Sequence, residues 1–310
     1  MSVIENALQK LRRAGGVAGA PHTPLHKAMG AHAPHPISPV DLGSFTGRRI
    51  AVDFSRLRSA GYLPESGQER LFADCYREIK RPVIQRAVAV DAPEDQRLIM
   101  ITSALPGEGK TFTSVNLALS IAREQDVSVL LVDADLAKSE VSRIFGVYGE
   151  PGLLDALSEE AADAESLVVR TDVPGLEILP SGAGASTAAS AERAAELIAS
   201  SRMAQIAARL SHRNSRRLIV FDSPPVLVSS EARALAHVPG QVLLVTRSGQ
   251  TPQQALLDAI ASIDKNRLQG LVLNDAHLAI GSGYYYGYGY SRSELKRDEG
   301  VASNAPPSTD

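Results

Sequence analysis

The stretch Leu98-Ile-Met-Ile-Thr-Ser-Ala-Leu-Pro-Gly-Glu-Gly-Lys-Thr111 decides the fold. Leu98 to Thr102 is an apolar run of strand length. Ala104-Leu-Pro-Gly-Glu-Gly-Lys-Thr111 then matches G-x-x-x-x-G-K-[ST], except that Ala104 stands where the pattern has its first glycine. A helical pattern follows from Lys110 to about Glu124. Strand, glycine-rich turn and helix in this order predict a loop whose N–H groups point inward around a phosphate, with Gly107 and Gly109 allowing the wrap. The helix N-terminus adds partial positive charge. Lys110 is placed to reach β- and γ-phosphates, and the Thr111 hydroxyl to ligate Mg2+. ATP and Mg2+ are the predicted ligands.

Outward from this stretch, further buried strands are predicted at 127–132, 176–179, 218–221, 242–245 and 271–273. Helices are predicted at 193–210 and around 230–237 and 252–263, and upstream a helix from Gln68 to Arg81 that Pro82 stops. Apolar strands separated by helices predict an α/β fold: a P-loop NTPase with a doubly wound, mostly parallel sheet and helices on both faces. Ligands of such sheets bind at the carboxyl ends of the strands. Leu130-Leu-Val-Asp-Ala-Asp135 ends one strand with Asp133 and Asp135, two apart and so on the same side of an extended chain. Leu218-Ile-Val-Phe-Asp-Ser-Pro-Pro225 ends another at Asp222, where a carboxylate can hold the hydration shell of magnesium.

The ends read differently. Residues 1–14 form a short amphipathic helix pattern with Ile4, Ala7, Leu8 and Leu11 on one face, suited to a partner or a membrane surface. Residues 15–65 read as a largely disordered linker, with order returning after about Arg48. Its His22, His26, His32 and His35 have no interleaved Cys or carboxylate and are read as compositional bias rather than a metal site. Residues 66–280 form the ATP-binding domain, and 281–310 a Gly/Tyr-rich cluster with a polar tail.

Among the 310 residues, 44% are hydrophobic and 22% charged, and the formal net charge of −3 argues against non-specific nucleic-acid binding. The single cysteine, Cys75, excludes an intramolecular disulfide framework and fits a reducing compartment. No apolar run approaches the roughly 18 residues of a membrane span. Met1-Ser-Val-Ile-Glu-Asn does not read as a secretory signal. The expected location is cytoplasmic, peripheral at the inner membrane through a partner or the N-terminal helix.

Taken together, Pro106-Gly-Glu-Gly-Lys-Thr111, Leu131-Val-Asp-Ala-Asp-Leu136, Phe221-Asp-Ser-Pro-Pro225 and a C-terminal tyrosine cluster resemble the bacterial tyrosine kinases of exopolysaccharide synthesis. These share the fold of the cell-division and plasmid-partition ATPases. The resemblance covers roughly residues 66–290. Ile4-Glu-Asn-Ala-Leu8, Ser230-Glu-Ala-Arg233 and the Tyr-Gly cluster make the chain most similar to the stand-alone autokinases of exosortase-associated (PEP-CTERM) polysaccharide clusters.

The resemblance implies a nucleotide site of Pro106, Gly107, Glu108, Gly109, Lys110, Thr111 and Phe112, with Asn274 at the adenine. It implies magnesium at Thr111, Asp133 and Asp222, and catalysis by Lys110, Asp133, Asp135 and Asp222. It also implies a homo-oligomer, in a ring, with Asp74, Arg77 and Lys80 on a helix packed against the neighbouring subunit. The implied partner is a membrane-embedded polysaccharide chain-length or export protein. The family usually has Arg and Pro after the acidic pair, where this chain has Ala137 and Ser139 flanking Lys138. The loop from Ser181 to Glu192 lacks the usual Pro-Asn-Pro. Both departures bear on substrate positioning more than on ATP.

Tyr284, Tyr285, Tyr286, Tyr288 and Tyr290 lie among glycines that give freedom to reach a neighbour's γ-phosphate, and they are the expected phosphoacceptors. The competing readings are a partition-type switch ATPase and a non-catalytic ATP-binding scaffold. The switch ATPases usually carry an extra lysine early in the phosphate loop, where this chain has Leu105, and a C-terminal amphipathic helix, where this chain is polar.

Overall fold

The structure, a computed structural model, describes residues 48–159, 163–183 and 195–276. In chain order the elements are β1 (Arg49–Ile50), α1 (Phe54–Ser59), α2 (Glu69–Ala87), β2 (Leu98–Ser103) and α3 (Lys110–Ile121). They continue with β3 (Ser128–Asp133), α4 (Glu140–Ile144), α5 (Leu153–Ser158), β4 (Val169–Thr171), β5 (Leu176–Leu179) and α6 (Ser201–Arg213). The last are β6 (Arg217–Asp222), α7 (Ser230–Leu235), β7 (Gln241–Arg247), α8 (Gln253–Ala261) and β8 (Leu268–Asn274). The eight strands form one sheet in the order β1-β4-β5-β3-β6-β2-β7-β8. Every neighbouring pair is parallel except β4 and β5.

The two-residue alternation of the strands builds two cores. Leu98 and Met100, Leu130 and Val132, Ile219 and Phe221, and Val242 and Leu244 face one side. There they meet Met203 and Ile206 of α6, Leu235 of α7 and Leu256 of α8. Ile99 and Ile101, Val129 and Leu131, and Leu218 and Val220 face the other, against Val83 of α2, Val115 and Ile121 of α3, and Val141 of α4. Both faces are covered, so the central strands read as unbroken apolar runs. The doubly wound α/β fold expected from the sequence is the one observed.

Three expectations need correction. The helix expected to stop at Pro82 runs through it to Ala87. An interior proline costs about 3 kcal/mol, but Pro82 is exposed, while the turn beyond it buries Val83 and Ala87. The Gln241 amide also donates to the Val83 carbonyl (3.0 Å). Order returns at 48, as expected, but residues 48–65 belong to the ordered domain rather than to the linker. β1 joins the sheet edge beside β4, Val52 N–H donates to Asp172 Oδ1 (2.8 Å), and Leu57 is fully buried. The helix expected over 193–210 is broken at Ser200, which is extended (φ −75°, ψ 158°), and its long segment is α6.

Lys80 does not share an outward face with Asp74 and Arg77. Its Nζ turns inward to the Ser120 carbonyl (2.9 Å) and to Glu124 (2.6 Å), while Asp74 and Arg77 pair with each other on the surface (2.6 Å). Among the described residues, no helix is long and apolar enough to cross a membrane. Residues 1–47 and 277–310, with the amphipathic segment, the histidines and the five tail tyrosines, lie outside the described residues.

Candidate active site

β2 delivers the chain to the phosphate loop, and α3 leaves from it. Gly107 (φ 81°) and Gly109 (φ 92°) both take the left-handed conformation that the wrap demands, whereas Ala104, buried where the pattern has glycine, keeps a negative φ. The first intrahelical bond is Thr113 N–H to the Gly109 carbonyl (2.9 Å), so the N–H groups of Lys110, Thr111 and Phe112 precede it and are without helical acceptors.

The loop is braced from within. The Glu108 carboxylate is buried, accepting Leu105 N–H (2.7 Å) on one oxygen and the Thr251 hydroxyl on the other. Glu108 was expected to bind nucleotide; its side chain is consumed by the loop, which leaves its backbone for a ligand. Asn274 ends β8 and donates to the Glu108 carbonyl (3.0 Å). A Cβ built on Gly109 falls 1.9 Å from Asn274 Nδ2, so this glycine is required by close approach as well as by φ. The Phe112 ring turns away to meet Phe72 of α2 edge-on, centroids 5.9 Å apart.

The carboxylates come together through strand register. Asp133 and Asp222 are paired positions at the carboxyl ends of β3 and β6. Alternation aims both at the face covered by α3 and α4. Asp222 accepts the Thr111 hydroxyl on Oδ2 and the Ser114 hydroxyl on Oδ1, each at 2.8 Å. Burial raises its pKa to about 6, with the two hydroxyls and Lys110 opposing the rise and Asp135 adding to it.

Asp133 accepts both Ser142 N–H (2.7 Å) and Ser142 O–H (2.6 Å) on Oδ2, while Oδ1 is buried with no hydrogen-bond partner among the described residues. Burial, with Asp222 and Asp135 nearby, pushes it up to about 8 against the Ser142 bonds. Asp135 lies just past the strand, not on it. It too is raised by burial, with Lys110 and Lys138 pulling it back. Lys110 is lowered by burial and held up by Asp222 and Asp135, with Lys138 repelling it.

These residues fit the predicted ligands. Free N–H groups, two left-handed glycines and a buried lysine suit a phosphate chain. Two buried carboxylates on one sheet face, a hydroxyl beside them and the bare Asp133 Oδ1 suit a divalent cation. The structure places Lys110, Thr111, Asp133, Asp135 and Asp222 at one end of the sheet, with Asn274 against the phosphate loop. Sequence reading missed Ser114, Ser142 and Thr251. Ser114 was findable, because it lies three residues after Thr111 and so on the same helix face. Ser142 and Thr251 carry no signal along the chain.

The family described as "AAA domain" matches residues 96–271. The tyrosine-protein kinase YwqD of Bacillus subtilis (strain 168) is 32% identical over 220 residues, covering 70% of this chain and 87% of that protein. The putative tyrosine-protein kinase EpsB of Ralstonia solanacearum is 32% identical over 213 residues, covering 68% of this chain. The chain spans only 27% of that longer relative's length. Among solved structures, the VpsO kinase domain is 30% identical with a TM-score of 0.55, over 69% of this chain and all of that one. The kinase domain of the Escherichia coli tyrosine kinase ETK is 25% identical with a TM-score of 0.58, over 70% of this chain and 81% of its own.

Proposed function

The chain belongs to the bacterial tyrosine-protein kinases, built on an AAA-type P-loop domain, and from that premise we propose that it phosphorylates its own C-terminal tyrosines. ATP is the donor and Mg2+ the metal. The acceptors are Tyr284, Tyr285, Tyr286, Tyr288 and Tyr290, presented in trans within a homo-oligomeric ring. The observation that carries the reading is the meeting of Asp133, Asp222 and Thr111 on one sheet face beside Lys110, in a chain that also carries a glycine-spaced tyrosine cluster.

Thr111, Asp133 and Asp222 are the residues that would hold magnesium, which would offset the negative charge of the phosphates. Lys110 and the N–H groups at the head of α3 orient the phosphate chain, and Asn274, fixed on the loop, lies at the adenine side. Phosphoryl transfer leaves little covalent work for protein groups beyond alignment and charge neutralisation. The tyrosine oxygen attacks the γ-phosphorus as the bond to the β–γ bridging oxygen breaks, releasing ADP. Asp135 takes the phenolic proton. Its burial makes it a stronger base than an exposed aspartate, better matched to a phenol of pKa about 10.

Each transfer adds roughly −1.5 to −2 charge to the tail, which loosens contacts between subunits and regulates exopolysaccharide synthesis or export. In this reading the kinase is cytoplasmic and reaches the inner membrane through a membrane-embedded chain-length or export protein, or through residues 1–14.

The test is incubation of the purified chain with magnesium and ATP, followed by mapping of phosphate by mass spectrometry beside a Lys110→Met control. Phosphate on Tyr284–Tyr290 that the control lacks supports the proposal. Phosphate confined to other tyrosines removes the tail from it. ATP turnover with no phosphotyrosine moves the chain to the switch ATPases.

A further inference from the structure

Residues 48–63 touch both walls of the site without contributing to the phosphate loop. On the nucleotide wall, Asn116 of α3 donates its amide to the Tyr62 carbonyl and to the Phe112 carbonyl, each at 2.8 Å. On the other wall, the Tyr62 hydroxyl donates to the carboxylate of Glu140, the first residue of α4. Arg56 Nη2 donates to the Arg143 carbonyl (3.0 Å), and Arg143 Nε in turn donates to the Lys138 carbonyl (3.1 Å). The turn Asp135–Glu140 is thus gripped at its end by Tyr62 and in its middle, through Arg143, by Arg56.

The same segment is fixed at its base by β1 pairing with β4 and by Leu57 in the core. Burial first, and then the Glu140 carboxylate and Asp222, hold the Tyr62 phenol well above its ordinary pKa, so it remains a donor at any physiological pH.

The turn at 135–140 needs such a grip. Ser139 has φ 50°, in the left-handed region, although it is not glycine. This is also the stretch in which Ala137 and Ser139 stand where the resemblance leads one to expect Arg and Pro. The turn carries Asp135, the proposed proton acceptor, and its conformation sets where an incoming phenol meets that carboxylate.

The geometry points to Tyr62 as a positioning residue for phosphoryl transfer, acting through Glu140 on the acceptor-side turn while Asn116 ties the same residue to the phosphate-loop helix. It rests on the reading that the acceptor enters past Asp135. The consequence is a division of labour: the phosphate loop sets the affinity for ATP, and residues 48–63 set the encounter with tyrosine.

The experiment uses the full chain with its five tail tyrosines changed to Phe. Two acceptors are titrated separately: a peptide of residues 281–292 and a glutamate–tyrosine copolymer. Tyr62→Phe keeps the ring and removes the hydroxyl. We expect kcat/KM for the acceptor to fall about five- to tenfold, the scale of losing one hydrogen bond of ordinary net strength, with the KM for ATP unchanged. Glu140→Gln retains an accepting oxygen and should keep most of the activity. Glu140→Ala should match Tyr62→Phe, and the double variant should be no worse than either single one.

An unchanged acceptor kcat/KM in Tyr62→Phe overturns the proposal. So does a rise in the KM for ATP equal to that for acceptor, which marks a general loosening of the fold. Wild-type tail-Phe chain that uses the copolymer but not the peptide removes the tail as acceptor. The Tyr62 comparison is then read on the copolymer, with the same two outcomes.

Discussion

The two walls of the site are built by opposite strategies. The nucleotide wall has a contiguous frame: strand, loop and helix run from 98 to 121, with Glu108 bracing the loop from within and Thr251, Asn274 and Asp222 meeting it from farther along the chain. The wall proposed to meet the acceptor is assembled from distant pieces. Tyr62 meets Glu140 across 78 positions, and Ser142 meets Ser181 across 39. A wall with a contiguous frame is specified mainly by its own sequence. An assembled wall depends on several tertiary contacts at once, each worth about 1 kcal/mol or a little more, and so is the natural place for activity to be adjusted without losing ATP.

The sharpest way to break this contrast is at Asp133, which lies on the seam. Under the proposed function, Asp133→Asn should lower kcat by about a hundredfold or more, because it removes a carboxylate assigned to the metal beside the transferring group. The same change should stabilise the ligand-free protein at neutral pH, because folding no longer has to draw a proton onto this buried carboxyl. Asp133 and Asp222 titrate near 8 and 6 in the fold and near 4 when unfolded. The fold therefore binds protons that the unfolded chain has released. Their contribution to ligand-free stability is greatest below about pH 4 and declines as pH rises through 6 and then 8. Thermal unfolding across that range should show the decline, and Asp133→Asn should flatten its upper half. An unaltered pH slope in the variant contradicts the assignment.

Gly109→Ala tests whether the nucleotide wall can fail alone. The added Cβ collides with the Asn274 amide and sits at φ 92°, a conformation that costs a non-glycine residue about 1–2 kcal/mol. ATP affinity should fall roughly tenfold or more, while the acceptor KM holds. Adding Asn274→Ala removes the collision but not the φ penalty, so part of the lost folding stability should return in thermal unfolding, although ATP affinity stays low without the Asn274 amide. Recovery of none of that stability would mean the backbone strain dominates.

The smallest effect belongs to Ser139. Ser139→Gly relieves the left-handed strain and should change unfolding free energy by less than about 1 kcal/mol, in the stabilising direction. Ser139→Pro cannot adopt φ 50° and removes the N–H that donates to the Asp135 carbonyl (2.7 Å). It should destabilise the turn and lower acceptor turnover while sparing ATP binding. If it improves turnover instead, the turn has a second conformation compatible with proline.

The same contrast explains what could be read from sequence. Leu98–Thr111 announces a phosphate loop because the chemistry and the residues that carry it are neighbours in the chain. Asp133 and Asp222 were legible because each ends an apolar strand, and parallel pairing does the rest. Ser142 was not, since its value lies in a helix folding back nine residues onto Asp133. Tyr62 lay inside a stretch whose upstream bias toward Ala, Gly, Pro and His suggested a linker. Pro82 misled because a local rule about helices was overruled by the burial of Val83 and Ala87. The short β4 escaped notice because three residues give too little alternation to distinguish a strand from a loop.

The alternation of the central strands also imposes an arithmetic of parity on how this protein can vary. Asp133 and Asp222 face α3 and α4 only because each stands an even number of residues from Val129 and Leu218 on the same face. Losing one residue within β3 or β6 would exchange the two faces. An acid would then point at the oily side beneath α6, and an isoleucine or phenylalanine at the phosphates. Losing two restores the arrangement at the expense of length. Lineages of this chain should therefore lengthen and shorten in the connections between strands, while the counts from the first apolar residue to the terminal aspartate stay fixed.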